Sequence, residues 1–102
     1  MAQTPEAKVK AAVRKLLTEL GVYYFAPASN GMGRSGIPDI ICCVSGKFFA
    51  IECKAGKGKT TALQERELSA IREANGVAIV VYEGEMDVIR FWVNHIRIRD
   101  KA

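Results

Sequence analysis

The chain has 102 residues, 49% of them apolar and 25% charged, a balance and length that suit a soluble fold with a single domain and one modest core. Fifteen Lys and Arg face 11 Asp and Glu, and the net charge of +4 leans toward a polyanionic partner. No apolar run reaches membrane-spanning length, the N-terminus lacks a signal-peptide pattern, C-x-x-C is absent and His95 is the only histidine, so a membrane span and a structural zinc site are excluded.

Thr4-Pro5-Glu6 opens a helix with a cap, a first-turn proline and a dipole-matched acid. Val9, Val13, Leu16, Leu17 and Leu20 form its apolar face, Lys8, Lys10, Arg14 and Lys15 fill much of the remaining surface, and Gly21 ends it. Val22 to Ala26 reads as a short strand, in which Tyr23 and Tyr24 serve core and strand face. Pro27 to Gly36 is a glycine-rich loop. Asp39–Val44 and Lys47–Lys54 read as two strands joined at Ser45-Gly46, with the turn type left open. The cysteines Cys42, Cys43 and Cys53 lie in these apolar runs and read as buried, reduced thiols of a cytoplasmic protein.

A basic, glycine-rich loop, Ala55 to Thr60, follows. Thr61 to Gln64 fits a capping box, and a helix to about Ala74 presents Leu63, Leu68, Ile71 and Ala74 inward before Asn75-Gly76 stops it. Val77 to Tyr82 is a continuous apolar run, hence a strand covered on both faces. Glu85 to Val93 reads as a short helix that packs Phe91 and Trp92 on the sheet, and Ile96 and Ile98, alternating with Arg97 and Arg99, as a final edge strand. The fold class is α/β, a central mixed sheet with an antiparallel hairpin, flanked by helices.

If Ser45 and Gly46 form a two-residue loop, Val44 pairs with Lys47 and, counting outward, Asp39 faces Glu52. Facing residues have Cβ atoms roughly 4.5–5.5 Å apart, and Lys54, two positions beyond Glu52, points to the same side. Two facing carboxylates repel. Protonation of one, pairing of both with Lys54, or a divalent cation between them would each offset this. With only oxygen ligands to hand, such a cation would be Mg²⁺ or Mn²⁺. A cross-strand salt bridge on a solvated face is the bland alternative, and Phe48 and Ala50 on that face argue against it.

Pro38-Asp39, twelve intervening residues and Glu52-Cys53-Lys54 form the pattern P-D…(D/E)-x-K. It resembles the PD-(D/E)XK nuclease superfamily. The N-terminal helix with Glu6, "GRSGIPDIICC", "FFAIECKAGKGKTTALQERELSAI" and "GVAIVVY" together resemble its virus-type replication-repair nuclease (VRR-NUC) domain over most of the chain. The resemblance implies a restriction-endonuclease-like fold and a divalent-metal-dependent endodeoxyribonuclease. It implies Asp39, Glu52 and the Cys53 main-chain carbonyl as metal ligands, and Lys54 as the residue that positions the attacking water or stabilises developing charge. Glu6 would hold water or act as an outer ligand, and Gln64 would line the site. Both have simpler readings, as a dipole-matched acid and as half of the capping box.

The stretch "GKGKTT" lacks the glycine that a phosphate-binding P-loop needs at the position of Cys53, so no nucleotide cofactor is expected. Lys57 and Lys59 are read as phosphate contacts to DNA. Asn30, Arg34 and Ser35 either touch a DNA backbone or belong to a loop whose glycines serve the turn alone. His95 is read as structural, and Lys101 with the nearby arginines as solvated charge. The resemblance further implies branched DNA, above all four-way junctions, as substrate, a homodimer matched to a two-fold junction, and the cytoplasm of a bacterial or phage-infected cell. A sequence-specific restriction-type nuclease and a non-catalytic DNA-binding module are the alternatives.

Overall fold

The computed structural model describes residues 3–28 and 34–101. Helix α1 spans Pro5–Glu19 and is followed by β1 (Tyr23–Phe25), β2 (Ile40–Val44), β3 (Lys47–Cys53), α2 (Ala62–Glu73), β4 (Val77–Val81) and α3 (Met86–Asp100). The four strands form one sheet in sequence order. β1, β2 and β3 are successively antiparallel, and β4 runs parallel to β3 after the α2 crossover.

The helices divide between the two faces. Val9, Val13, Leu16 and Leu17 of α1 and Ile89, Val93 and Ile96 of α3 pack on Phe49, Ile51 and Cys53 of β3 and on Ile40, Cys42 and Val44 of β2. On the opposite face Leu68 and Ile71 of α2 cover Ala50, Ala78, Ile41 and Val80. The alternation Phe48-Ala50-Glu52 against Phe49-Ile51-Cys53 thus assigns each half of β3 to its own layer. β4 is covered on both faces as its apolar run predicts, with Val81 in one cluster and Ala78 in the other. Leu63 of α2 is exposed rather than inward, since the apolar contact with the sheet is made by Leu68 and Ile71, and Ala74 lies in the exposed cap.

Ser45 and Gly46 both have positive φ, 48° and 80°, as a type I′ hairpin requires. The turn therefore fixes the register Val44↔Lys47 through Ile40↔Ile51. Cys42 and Cys53 are buried thiols, whereas Cys43 is exposed, since successive residues of β2 face opposite layers.

The expected short helix and final edge strand are corrected: residues 86–100 form one continuous helix, and Ile96 to Arg99 are its last turns. Ile89, Val93 and Ile96 recur at helical spacing and enter the core, while Ile98 is exposed. Two Ile-Arg steps satisfy either periodicity, and burial of the longer helical series decides between them. Trp92 packs against the core, and Phe91 lies outside it, 60% exposed, in edge-to-face contact with Trp92. The helical course also places Arg97 to donate from Nη2 to the Leu20 carbonyl at 2.7 Å, closing a carbonyl at the α1 C-cap that would otherwise lack an intrahelical donor.

Candidate active site

Asp39 immediately precedes β2, and Glu52 is the penultimate residue of β3. The ladder ends at Ile40↔Ile51, and Asp39 and Glu52 stand at the next position of the same register, where the hairpin count puts them opposite one another. Asp39 is held in place by the chain it faces: its Oδ2 accepts the Cys53 main-chain N–H at 2.8 Å. Glu52 is 2% exposed and Lys54 9% exposed, and Lys54 Nζ lies 3.5 Å from Glu52 Oε2. Lys54 is anchored in turn through its own N–H, which donates to the Val81 carbonyl at 2.9 Å. Buried charges of this kind require partners. Among the described residues Glu52 has only half of them, because its buried Oε1 meets no hydrogen-bond partner there.

Burial first, and then the negative charge of Asp39, push the Glu52 carboxyl up to about 7, with Lys54 pulling the other way. The group therefore changes charge near neutral pH rather than in the ordinary carboxylate range.

The first turns of α1 bring two more charges to this end of the hairpin. Lys10 Nζ lies 3.2 Å from Asp39 Oδ1 and 3.7 Å from Glu6 Oε2. Glu6 thus reaches the neighbourhood of Asp39 as the resemblance implies, but through Lys10. Partial burial would lower the Lys10 pKa; the charge and hydrogen bond of Asp39, with the charge of Glu6, outweigh that and raise it. Sequence reasoning counted Lys10 among the surface charges of α1. The available signal was its place one turn after Glu6 on the same helix face.

Gln64 is used as a cap: Thr61 Oγ1 accepts the Gln64 main-chain N–H at 3.1 Å, and Gln64 Oε1 accepts the Thr61 N–H at 2.9 Å. Its described hydrogen bonds go to Thr61 rather than to the carboxylates. Arg34 Nε donates to Glu67 Oε1 at 3.0 Å, which ties the loop before Asp39 to α2. Ser35 is exposed beside it, and Asn30 lies outside the described residues. Gly36 needs its missing side chain: φ is +85°, and a Cβ there would lie 2.5 Å from the Leu63 carbonyl oxygen. Lys57 and Lys59 are exposed on the loop after β3. That loop is pinned by Tyr82, whose hydroxyl donates to the Gly58 carbonyl at 2.7 Å, and by Glu83, whose Oε1 accepts the Gly56 N–H at 3.2 Å. His95 stacks on Phe91 along α3.

The donor set fits a hard divalent cation. Among the described residues no three His, Cys, Asp or Glu side chains gather as a ligand cluster. The side chains therefore offer two carboxylates, and the Cys53 carbonyl is needed as a third oxygen. The buried, unpartnered Glu52 Oε1 is the observation that favours such an ion.

Fold and site together define a nuclease of the PD-(D/E)XK superfamily. Among solved structures, one VRR_NUC domain is 23% identical with a TM-score of 0.71, covering 86% of this chain and 94% of its own. A second VRR_NUC domain protein is 18% identical with a TM-score of 0.69, covering 95% and 92%. The Archaeoglobus fulgidus Hjc, a Holliday junction resolvase, is 21% identical with a TM-score of 0.58 over 74% of this chain and 66% of that one. No curated protein matches the chain. The profile of the archaeal Holliday junction resolvases (Hjc) matches residues 8–80, which run from α1 through nearly all of β4 and include Lys10, Asp39, Glu52 and Lys54. The chain belongs to this family of branched-DNA nucleases.

Proposed function

We propose that the chain is a single-domain, Mg²⁺- or Mn²⁺-dependent endonuclease that acts as a homodimer on branched DNA, four-way junctions foremost, and cuts with Asp39, Glu52 and Lys54. The observation that carries this reading is the facing pair Asp39 and Glu52, with the Glu52 Oε1 buried and unpartnered beside a buried Lys54.

Asp39, Glu52 and the Cys53 carbonyl would hold the ion. When bound, it lowers the pKa of a coordinated water and polarises the scissile phosphate. The chain's own groups do the rest. The Cys53 N–H fixes the Asp39 carboxylate, so the ligand is oriented before the ion arrives. The Lys54 ammonium, held at Glu52, orients the attacking water or stabilises the added negative charge on the phosphate. Lys57 and Lys59, displayed on a pinned loop directly after Lys54, contact flanking phosphates. A four-way junction is two-fold symmetric and needs two cuts, which one site per subunit supplies in a homodimer.

The test incubates the protein with Mg²⁺ or Mn²⁺ and matched linear duplex, flap and four-way-junction DNA, beside Asp39→Ala. Paired symmetric nicks in the junction, abolished by Asp39→Ala, are expected, together with a dimer mass in solution. Sequence-defined cuts in linear duplex, or binding without metal-dependent cleavage, would overturn the reading.

A further inference from the structure

Asp39 has both carboxylate oxygens engaged: Oδ2 by the Cys53 N–H and Oδ1 by Lys10 Nζ. Glu52 has one oxygen with Lys54 and one with no partner among the described residues. The position between Asp39 and Glu6, on the α1 side of the site, already holds a positive charge, whereas the Glu52 side has an oxygen to offer. A Glu-Lys pair four residues apart is common on helices and worth little alone. Here the ammonium lies closer to Asp39 than to its helical partner, 3.2 Å against 3.7 Å, and so joins α1 to the end of the hairpin.

We propose that Lys10 takes the place of a second cation, so that this nuclease works with a single bound ion per chain. The inference rests on the metal-dependent reading above and adds a stoichiometry to it. In two-metal sites a second ion stabilises the far side of the phosphate displacement. An ammonium between Asp39 and Glu6 supplies positive charge at that outer position without dissociating. A second ion entering there would have to displace Lys10 from both carboxylates and leave its charge without a partner. Lys54 does not fill this role, since it pairs with Glu52.

The test is calorimetric titration of metal-stripped protein with Mn²⁺, without DNA, on wild type, Lys10→Arg and Lys10→Met. Thermal melts confirm folding, and Lys10→Gln substitutes if Lys10→Met does not fold. One ion per chain is expected for wild type and Lys10→Arg. Two are expected for Lys10→Met, the first bound at least about threefold tighter because the competing charge is gone. Junction cleavage by Lys10→Met should then rise more steeply with Mn²⁺ concentration. Two ions on wild type, or one ion with unchanged affinity on folded Lys10→Met, would overturn the role of Lys10 and leave the metal-dependent reading intact. Absence of any ion on wild type would overturn both.

Discussion

The Cys53 main-chain N–H donates to Asp39 Oδ2 at 2.8 Å, so a backbone group of β3 orients the carboxylate across the hairpin. Asp39 is thereby a structural and a chemical residue at once. Asp39→Ala leaves that N–H without a partner and the Lys10 ammonium with Glu6 alone. We expect it to cost about 1–3 kcal/mol of stability and to lower cleavage by more than about a hundredfold. Asp39→Asn keeps an acceptor for the N–H, so it should lose a similar share of activity with a smaller drop in melting temperature. Equal destabilisation by both would refute the separation.

Lys54 divides binding from chemistry. Lys54→Met keeps the stem that packs in the buried site and removes the charge. Junction affinity in the presence of Ca²⁺ should change by less than about threefold, because one screened contact among many phosphates contributes little. Single-turnover cleavage should fall about 10²–10³-fold, the scale of losing one preorganised charge at a reacting phosphate. Unchanged cleavage would remove Lys54 from the mechanism.

Glu52 gives a pH signature without metal. Its carboxyl is raised from the ordinary value of 4.5 to about 7, so the folded chain holds that proton more tightly than the unfolded chain does. Its favourable contribution is complete below about pH 4.5 and is lost as pH rises toward 7. Metal-free wild type should therefore lose on the order of 2 kcal/mol between about pH 5 and pH 8 relative to Glu52→Gln. Adding Mg²⁺ or Mn²⁺ at the higher pH should restore wild type and not Glu52→Gln. Denaturant melts across pH would show parallel curves if Glu52 titrates normally.

Gly36 is the steric link between the loop before Asp39 and the start of α2. Gly36→Ala places a methyl group against the Leu63 carbonyl at a positive φ. We expect a loss of roughly 2 kcal/mol or more, with cleavage reduced because Asp39 lies only three residues further on. Gly46→Ala also has a positive φ but meets nothing within 4 Å, so it should cost less, about 1 kcal/mol. A reversed order would contradict the packing described for Gly36.

The hairpin was readable from sequence because two apolar runs flank Ser45-Gly46, and a two-residue turn there admits one register, in which Asp39 counts opposite Glu52. The ends of the chain were harder. Ile96 and Ile98 fit a strand as well as a helix over so few residues, and only the packing of Ile89, Val93 and Ile96 on the sheet settles the matter. Lys10 was hidden for a related reason. A charged residue on an amphipathic helix reads as solvated until the tilt of that helix brings it beside a partner remote in sequence, here Asp39. Gln64 was legible as a cap and as a site residue, and the completed reciprocal box identifies the cap. The Arg34–Glu67 pair joins residues of different elements with no sequence pattern to announce it.

The hydrogen bond from Arg97 to Leu20 has a mechanical consequence. α1 carries Glu6 and Lys10 near one end and is latched by α3 at the other, like a lever held at its heel. The matched family stretch ends before α3 begins, so the arginine that closes the latch lies outside that stretch while the carbonyl it holds lies inside it. Its contribution is stiffness: how firmly α3 grips α1 sets how much play Lys10 has against Asp39, some fifteen Å or more away along the helix at about 1.5 Å per residue.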